Sequence, residues 1–256
     1  MNLNPNWHEA IQKRTSRRSY TGDPLTPSQL EKLRNLLSDI NSSGFVNFRL
    51  IEDGSQFFNG LTKSYGMFKN VRTVIALVGD KNAPQIKKNI GYFGEFLVLE
   101  AVHCGLGTCW IGGTYDRKSL ASSLNLTSDE ELFAVLAIGP VPEDKTLKEK
   151  LLSGVGKNKP TWEQLLESPC AVPDWVRQGL VSARLAPSGM NKKPSRYQFQ
   201  DGTLRAYVIN EKYGSELTDL GISLAHFELG AHQAGITGNW EPDGDGFVFT
   251  ISPEIP

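Results

Sequence analysis

The stretch "GYFGEFLVLEAVHCGLGTCW", residues 91–110, returns as "GISLAHFELGAHQAGITGNW", residues 221–240. One constant offset, without a gap, lays Gly91 on Gly221, Leu99 on Leu229, Ala101 on Ala231, Gly105 on Gly235 and Trp110 on Trp240. The flanks keep the same order: "LRNLLSDI" is similar to "VRQGLVSA", "VRTVIALVG" to "LRAYVINEK", and "FAVLAIGPV" to "FVFTISPEI". Two copies are too few for a solenoid, so the pattern reads as an internal duplication that gives two lobes about a pseudo-twofold axis. Residues 1–160 form the first lobe and 161–256 the second, together one compact domain. The junction falls in a lysine-rich connector bracketed by Pro140, Pro142, Pro160 and Pro173.

Local patterns fill in the lobes. In "TPSQLEKLRNLLSDI", Thr26 is an N-cap, Pro27 takes the first helical position and Gln29 completes a capping box, with leucines following at helical spacing. "FRLIED", "VRTVIALVG" and "LFAVLAIGP" are short β-branched or apolar runs that read as strands. "APQIKKNIGYFGEFLVLEAVHCG" is apolar on more than one face, as a buried helix is.

Composition limits the functions open to the chain. Its 256 residues are 39% hydrophobic, with Lys+Arg 27 against Asp+Glu 28. That balance gives no bulk reason to bind nucleic acid or an anionic membrane, so any anion site must be local. No apolar run approaches the roughly 18 residues of a spanning helix, and "MNLNPNWHEAIQKR" lacks the apolar centre of a secretory signal, so a cytoplasmic protein is expected. Cys104, Cys109 and Cys170 lack zinc-ligand spacing and read as reduced, buried thiols. His8, His103, His226 and His232 show no metal-ligand spacing, and His103 and His232 read as core or interface histidines. No metal site, nucleophile elbow, P-loop or paired catalytic carboxylate is evident.

What fails to repeat is equally informative. The basic "RTSRRSY" of residues 14–20 has no counterpart before the second half's helix, where the chain reads "ESPCAVPDW". Conversely "APSGMNKKP", residues 186–194, is matched in the first half only by the shorter "NSSGFVN". Each lobe has kept what the other lost. One composite site would then take its arginines from the first lobe and its Pro-Ser loop from the second.

"KRTSRRSYTGDPLTPSQLEKLRNLL", "GLGTCWIGG" and "AVLAIGPV" resemble the motifs of FMN-dependent nitroreductases over most of residues 7–165, and "APSGMNKKP" resembles the Pro-Ser-x-x-Asn-x-Gln-Pro loop which those homodimers supply from the opposite subunit. The resemblance implies an α+β, nitroreductase-like fold: two pseudo-twofold lobes around a mixed or antiparallel sheet, with long buried central helices and one FMN pocket. It also implies roles. Arg14, Ser16 and Arg18 take the FMN phosphate, Thr15 contributes backbone, and Arg17 points away; planar guanidinium groups suit a phosphate better than ammonium does. Lys157 and Lys159 fall where the family has a second basic pair, with a surface linker as the alternative. Gly112 and Gly113 bring backbone to flavin N5, the hydride-accepting atom, while Trp110 and Ile111 pack the ring or the core. Pro187, Ser188, Gly189 and Asn191 form the covering loop.

"GLGTCWIGG" is not a dinucleotide fingerprint, because it follows a helical pattern instead of a strand; Gly105 ends that helix and an extended segment follows. The implied activity is an FMN-dependent oxidoreductase that passes hydride from NAD(P)H through the flavin to an electron-poor small-molecule acceptor. No nucleic-acid or membrane partner is expected, and a monomer suffices for the site. Thr15, Lys193 and Ser195 depart from the family's Arg or His, Gln and Trp. The alternative is a nitroreductase-like binding or regulatory module without flavin chemistry.

Overall fold

The computed structural model describes residues 3–58, 66–146, 149 and 160–252. The first half holds α1 (Asn6–Lys13), α2 (Pro27–Ser42), β1 (Arg49–Ile51), β2 (Thr73–Asp80), α3 (Ile86–His103), β3 (Gly107–Ile111), α4 (Arg117–Ser123) and β4 (Glu130–Gly139). The second holds β5 (Leu166–Glu167), α5 (Asp174–Ala183), β6 (Ser195–Gln200), β7 (Thr203–Val208), α6 (Glu216–Gln233), β8 (Gly238–Asp243) and β9 (Gly246–Ile251). The capping box at Thr26 forms as read, with Thr26 accepting from the Gln29 backbone and the Gln29 side chain returning to the Thr26 N–H.

The expected mixed or antiparallel sheet takes the form of two sheets, one per half. The first runs β1-β2-β4-β3 and the second β5-β6-β7-β9-β8. Leaving β5 aside, the two orders are the same once each strand is matched to its repeat. All pairings are antiparallel except β5 with β6.

Between the sheets lie α3 and α6, the repeated helices of the opening comparison. Their sides are apolar nearly all round because each is enclosed: Phe96, Leu97 and Leu99 of α3 and Leu224, Ala225 and Phe227 of α6 are fully or almost fully buried. The contact between them is reciprocal. A Cβ on Gly91 would collide with the carbonyl oxygen of Thr218, and one on Gly221 with that of Lys88. Each glycine thus meets the residue three places before the other, which is the signature of a local twofold axis through the crossing. An apolar cluster seals the halves on one side, where Trp7, Ala10 and Ile11 of α1 meet Phe96, Leu99, Ala225 and Leu229.

Two expectations need correction. His103 is exposed, since it falls on the last turn of α3 where the helix runs past the interface, and His232 is half-buried at the matching place on α6. Of the three free cysteines only Cys109 is buried; Cys104 is intermediate and Cys170, in the proline-rich approach to α5, is exposed. The end of α3 behaves as read: Gly105 adopts φ 79° and the Leu106 N–H returns to the Ala101 carbonyl at 2.9 Å.

Candidate functional site

Residues 14–20 leave α1 in extended conformation and run beside β3. Ser16 pairs with Thr108 in a parallel bridge, and the Arg17 N–H donates to the Thr108 carbonyl at 2.8 Å. Extended backbone alternates its side chains, so one set of basic residues divides into two faces. Arg14, Ser16 and Arg18 gather about Cys109: burial pushes its thiol up to about 11, against the opposing pull of the Arg18 and Arg14 charges and a hydrogen bond with Ser16. Arg17 turns the other way and is itself buried. Its Nε lies 3.2 Å from Glu149 Oε1 and its Nη2 donates to the Pro142 carbonyl at 2.9 Å.

Glu149 clamps this segment. Burial alone would raise its carboxyl, but the backbone N–H groups of Arg18, Thr146 and Ser19, together with Arg17, hold it at about 2. The N–H distances are 2.7 Å from Arg18, 3.0 Å from Thr146 and 3.2 Å from Ser19.

Arg14 belongs to a second network. Glu95, fully buried on α3, accepts from Trp110 Nε1 at 2.8 Å on Oε2, while Oε1 lies 2.8 Å from His226 Nε2 and 3.9 Å from Arg14 Nε. The Arg14 Nε is buried and has no hydrogen-bond partner. His226 continues the chain, its Nδ1 standing 3.3 Å from the Ser182 carbonyl at the end of α5. Leu185, just beyond, packs on the α1 cluster. The root of the 186–194 loop is therefore tied to the arginine segment from the far end of the sequence.

That loop is held under strain. Met190, Asn191 and Lys193 have φ of 49°, 57° and 51°, left-handed values that L-residues adopt at a cost. What imposes them is a set of short bonds: Gly189 N–H donates to both oxygens of Asp219, at 2.9 and 3.0 Å, and Lys193 N–H donates to Ser188 Oγ at 3.0 Å. Asp219 stands on the first turn of α6, and burial pushes its carboxyl up to about 7.

The remaining sequence-read residues divide. Gly112 and Gly113 are exposed just past β3, and a Cβ on either would meet nothing within 4 Å. Neither adopts a left-handed φ, so nothing inside the chain calls for glycine at these positions. Trp110 is half-buried and tethered by Glu95. Ile111 lies 2% exposed in the core beside Tyr115 and Val135, which leaves only its backbone to face a ligand. Thr15 is exposed. Lys157 and Lys159 lie outside the described residues.

Sequence reasoning missed Glu95, Glu149 and Asp219. The one signal was charge inside an apolar helix, as in "GYFGEFLVLE", where a glutamate amid aromatics needs buried partners. Among the described residues no cluster of His, Cys, Asp and Glu is placed to hold a metal, and no helix is long and apolar enough to cross a membrane. Two cavities stand out. One of about 10 Å³ lies against Pro187, Ser188, Lys193 and Asp219. The other, of about 1000 Å³, touches none of the sequence-read residues; it opens between residues 42–47, the start of α3 and β8.

This arrangement of sheets and central helices is the nitroreductase fold. The structure of a putative nitroreductase from Thermotoga maritima matches with a TM-score of 0.65 at 18% identity, covering 99% of this chain and 97% of that one. An FMN-dependent nitroreductase from Clostridium difficile matches at 20% identity over 54% of this chain and 88% of its own, TM-score 0.45. A nitroreductase with bound FMN from Bacteroides fragilis matches at 13% identity over 57% and 92%, TM-score 0.45. No curated protein matches the chain. The family described as "Putative TM nitroreductase" matches residues 6–231, and the chain belongs to that family, which places it among the oxidoreductases.

Proposed function

We propose that the chain is an FMN-dependent oxidoreductase, taking hydride from NAD(P)H and delivering it to an electron-poor small molecule, with its flavin held between residues 14–18, the Gly112–Gly113 turn and residues 187–191. The observation that carries this reading is Arg14. A guanidinium 12% exposed, with a buried Nε that lacks a hydrogen-bond partner and one carboxylate at 3.9 Å already shared with Trp110 and His226, suits a further anion. Arg18 and Ser16 present donors on the same face, and the bare turn at Gly112 and Gly113 leaves room for a flat ring against backbone. The residues present fit FMN.

When bound, the flavin supplies reversible hydride acceptance at N5, chemistry which the protein side chains lack. This chain's residues bind, orient and shield. Arg14, Ser16 and Arg18 grip the phosphate, Trp110 is fixed by Glu95, and the strained 187–191 loop covers the ring side from the second half. Cys109 is no nucleophile here, its thiol standing near 11. All these groups come from one chain, so a monomer makes a whole site, in the manner of a dimer fused into a single polypeptide. The cytoplasm, where nicotinamide donors are supplied, suits such an enzyme.

The test is direct. The purified chain is mixed with FMN, desalted and examined by absorbance; it should stay yellow, bleach anaerobically with NADH or NADPH, and recover on adding a nitroaromatic or quinone. A chain that remains colourless after excess FMN would belong to the class of binding modules instead.

A further inference from the structure

The cavity of about 1000 Å³ has a definite relation to the proposed flavin site. Its strand wall, Asn239–Pro242 on β8, stands where Cys109–Gly112, along β3 and just past it, stand under the repeat offset. Its loop wall, residues 43–47, follows α2 as residues 184–191 follow α5. Its floor includes Lys88, Asn89 and Tyr92 of α3, the repeat partners of Thr218, Asp219 and Ile222 of α6. The flavin site joins a strand from the first half to a loop from the second; this cavity joins a strand from the second to a loop from the first. It is the twin site, and it is far roomier than the cavity of about 10 Å³ beside Ser188.

Its chemistry has changed sign. The arginine segment has no copy in the second half, and among the described residues the twin is lined by Asp39, Asp80, Glu130, Glu228 and Glu241, of which Glu130 is paired with Arg49, against the cation Lys88. Lys88 is already engaged: it is 8% exposed, its Nζ lies 5.4 Å from the Tyr92 ring centre and 5.2 Å from that of Phe247, and Glu228, bonded to the Tyr92 hydroxyl, stands near it. Such a lining repels a phosphate. Flat walls remain, however. Phe45 is 57% exposed yet stacks on Phe93 at 6.0 Å and 16°, and Trp240 on β8 also lines the cavity, though its ring packs mainly against Phe227 and Phe249. Exposed apolar area of this kind, at the mouth of a cavity, is what a planar ligand would cover.

We propose that this twin cavity is a second binding site, for a planar aromatic compound that is neutral or cationic and carries no phosphate. The contrast in charge rests on the flavin reading of the first site; the cavity and its lining do not. Riboflavin and FMN share one ring system and differ by the phosphate alone, so they make the probe pair. In calorimetric titration of FMN-loaded chain, riboflavin should bind at one further equivalent that excess FMN does not displace. Phe45→Ala, at a solvent-facing position where folding is not at stake, should weaken riboflavin about tenfold by removing a stacking face. Arg14→Ala should leave riboflavin at this site unchanged while lowering FMN retention. Absence of the further equivalent, its displacement by FMN, or indifference to Phe45→Ala would overturn the proposal. Should the chain hold no FMN at all, the flavin reading fails separately; the riboflavin titration on the apo chain, judged by its sensitivity to Phe45→Ala, still decides the twin site.

Discussion

Arg14 and Arg17 show how one short basic run is divided between a face proposed for a ligand and the scaffold by nothing more than the alternation of extended backbone. Arg17 closes a buried ion pair in which Glu149 also satisfies three backbone donors, so Glu149→Ala leaves both a buried charge and orphaned N–H groups. Its cost should be about 3–5 kcal/mol in urea unfolding. The pH dependence has a fixed sign. Glu149 is depressed from 4.5 to about 2, so its stabilisation is complete above 4.5 and lost as pH falls toward 2. Asp219 is raised from 3.8 to about 7, so its stabilisation is complete below 3.8 and lost as pH rises through 7. Glu149→Gln should flatten the acid limb of the urea midpoint against pH, and Asp219→Asn the limb between about 4 and 7; no change in either limb would refute these assignments. On the ligand face, Arg18→Ala or Arg14→Ala should weaken FMN by about 1.5–3 kcal/mol in a fluorescence titration, with a weaker salt dependence. The arginines were legible in the sequence as a basic run, the form in which a phosphate site would present them. Glu95 and Glu149 were not, since each meets its arginine only through the fold, across long sequence separations that no local pattern encodes.

Gly91 and Gly221 do at the level of elements what the arginines do at the level of residues: they let two copies of one helix approach until backbone touches backbone. Gly91→Ala places a methyl on the Thr218 carbonyl, and Gly221→Ala one on that of Lys88. Neither obstacle is a flexible side-chain tip, so each change should cost about 2–3 kcal/mol, at the upper part of the range for overpacking. The double variant should cost less than the sum, because once the helices have parted for one methyl the second enters space already opened. Urea midpoints of the four proteins measure this, and a cost under 0.5 kcal/mol for both single changes would contradict the crossing. These helices, and the strands either side of them, could be read from the repeat itself. The division into two sheets could not: periodicity reports which face of a strand is buried, whereas the pairing of edges depends on where α3 and α6 stand between the halves. The left-handed Met190 and Lys193 were equally hidden, since methionine and lysine carry no turn signal and the conformation is imposed by Asp219 from another element, whereas Asn191 closes a Pro-Ser-Gly-x-Asn cluster that reads as a turn.

At the scale of the whole molecule, the reading of duplication followed by divergence puts two related places to different work, and it would make the proposed flavin site a property of one chain. Two tests belong here. If a monomer suffices, FMN retention should be the same at high and low protein concentration, with light scattering reporting whatever association occurs; flavin lost on dilution would mean that a second chain completes the site. The sharper test asks whether the second half truly reaches the first half's ligand. The tie seen in the fold runs from Arg14 through Glu95 and His226 to Ser182, at the root of the loop bearing Ser188 and Asn191. If loop and arginines hold the same flavin, Arg18→Ala and Asn191→Ala should be coupled: each loosens the ligand, so the second removes less from a ligand already displaced by the first. A double-mutant cycle read through FMN affinity should then depart from additivity by at least about 0.5 kcal/mol. His226→Gln adds an independent arm, because it cuts the tie without touching either contact, and it should lower FMN affinity while reducing the coupling measured in that cycle. Strict additivity, with His226→Gln silent, would mean that the two halves share a fold and an interface but no ligand.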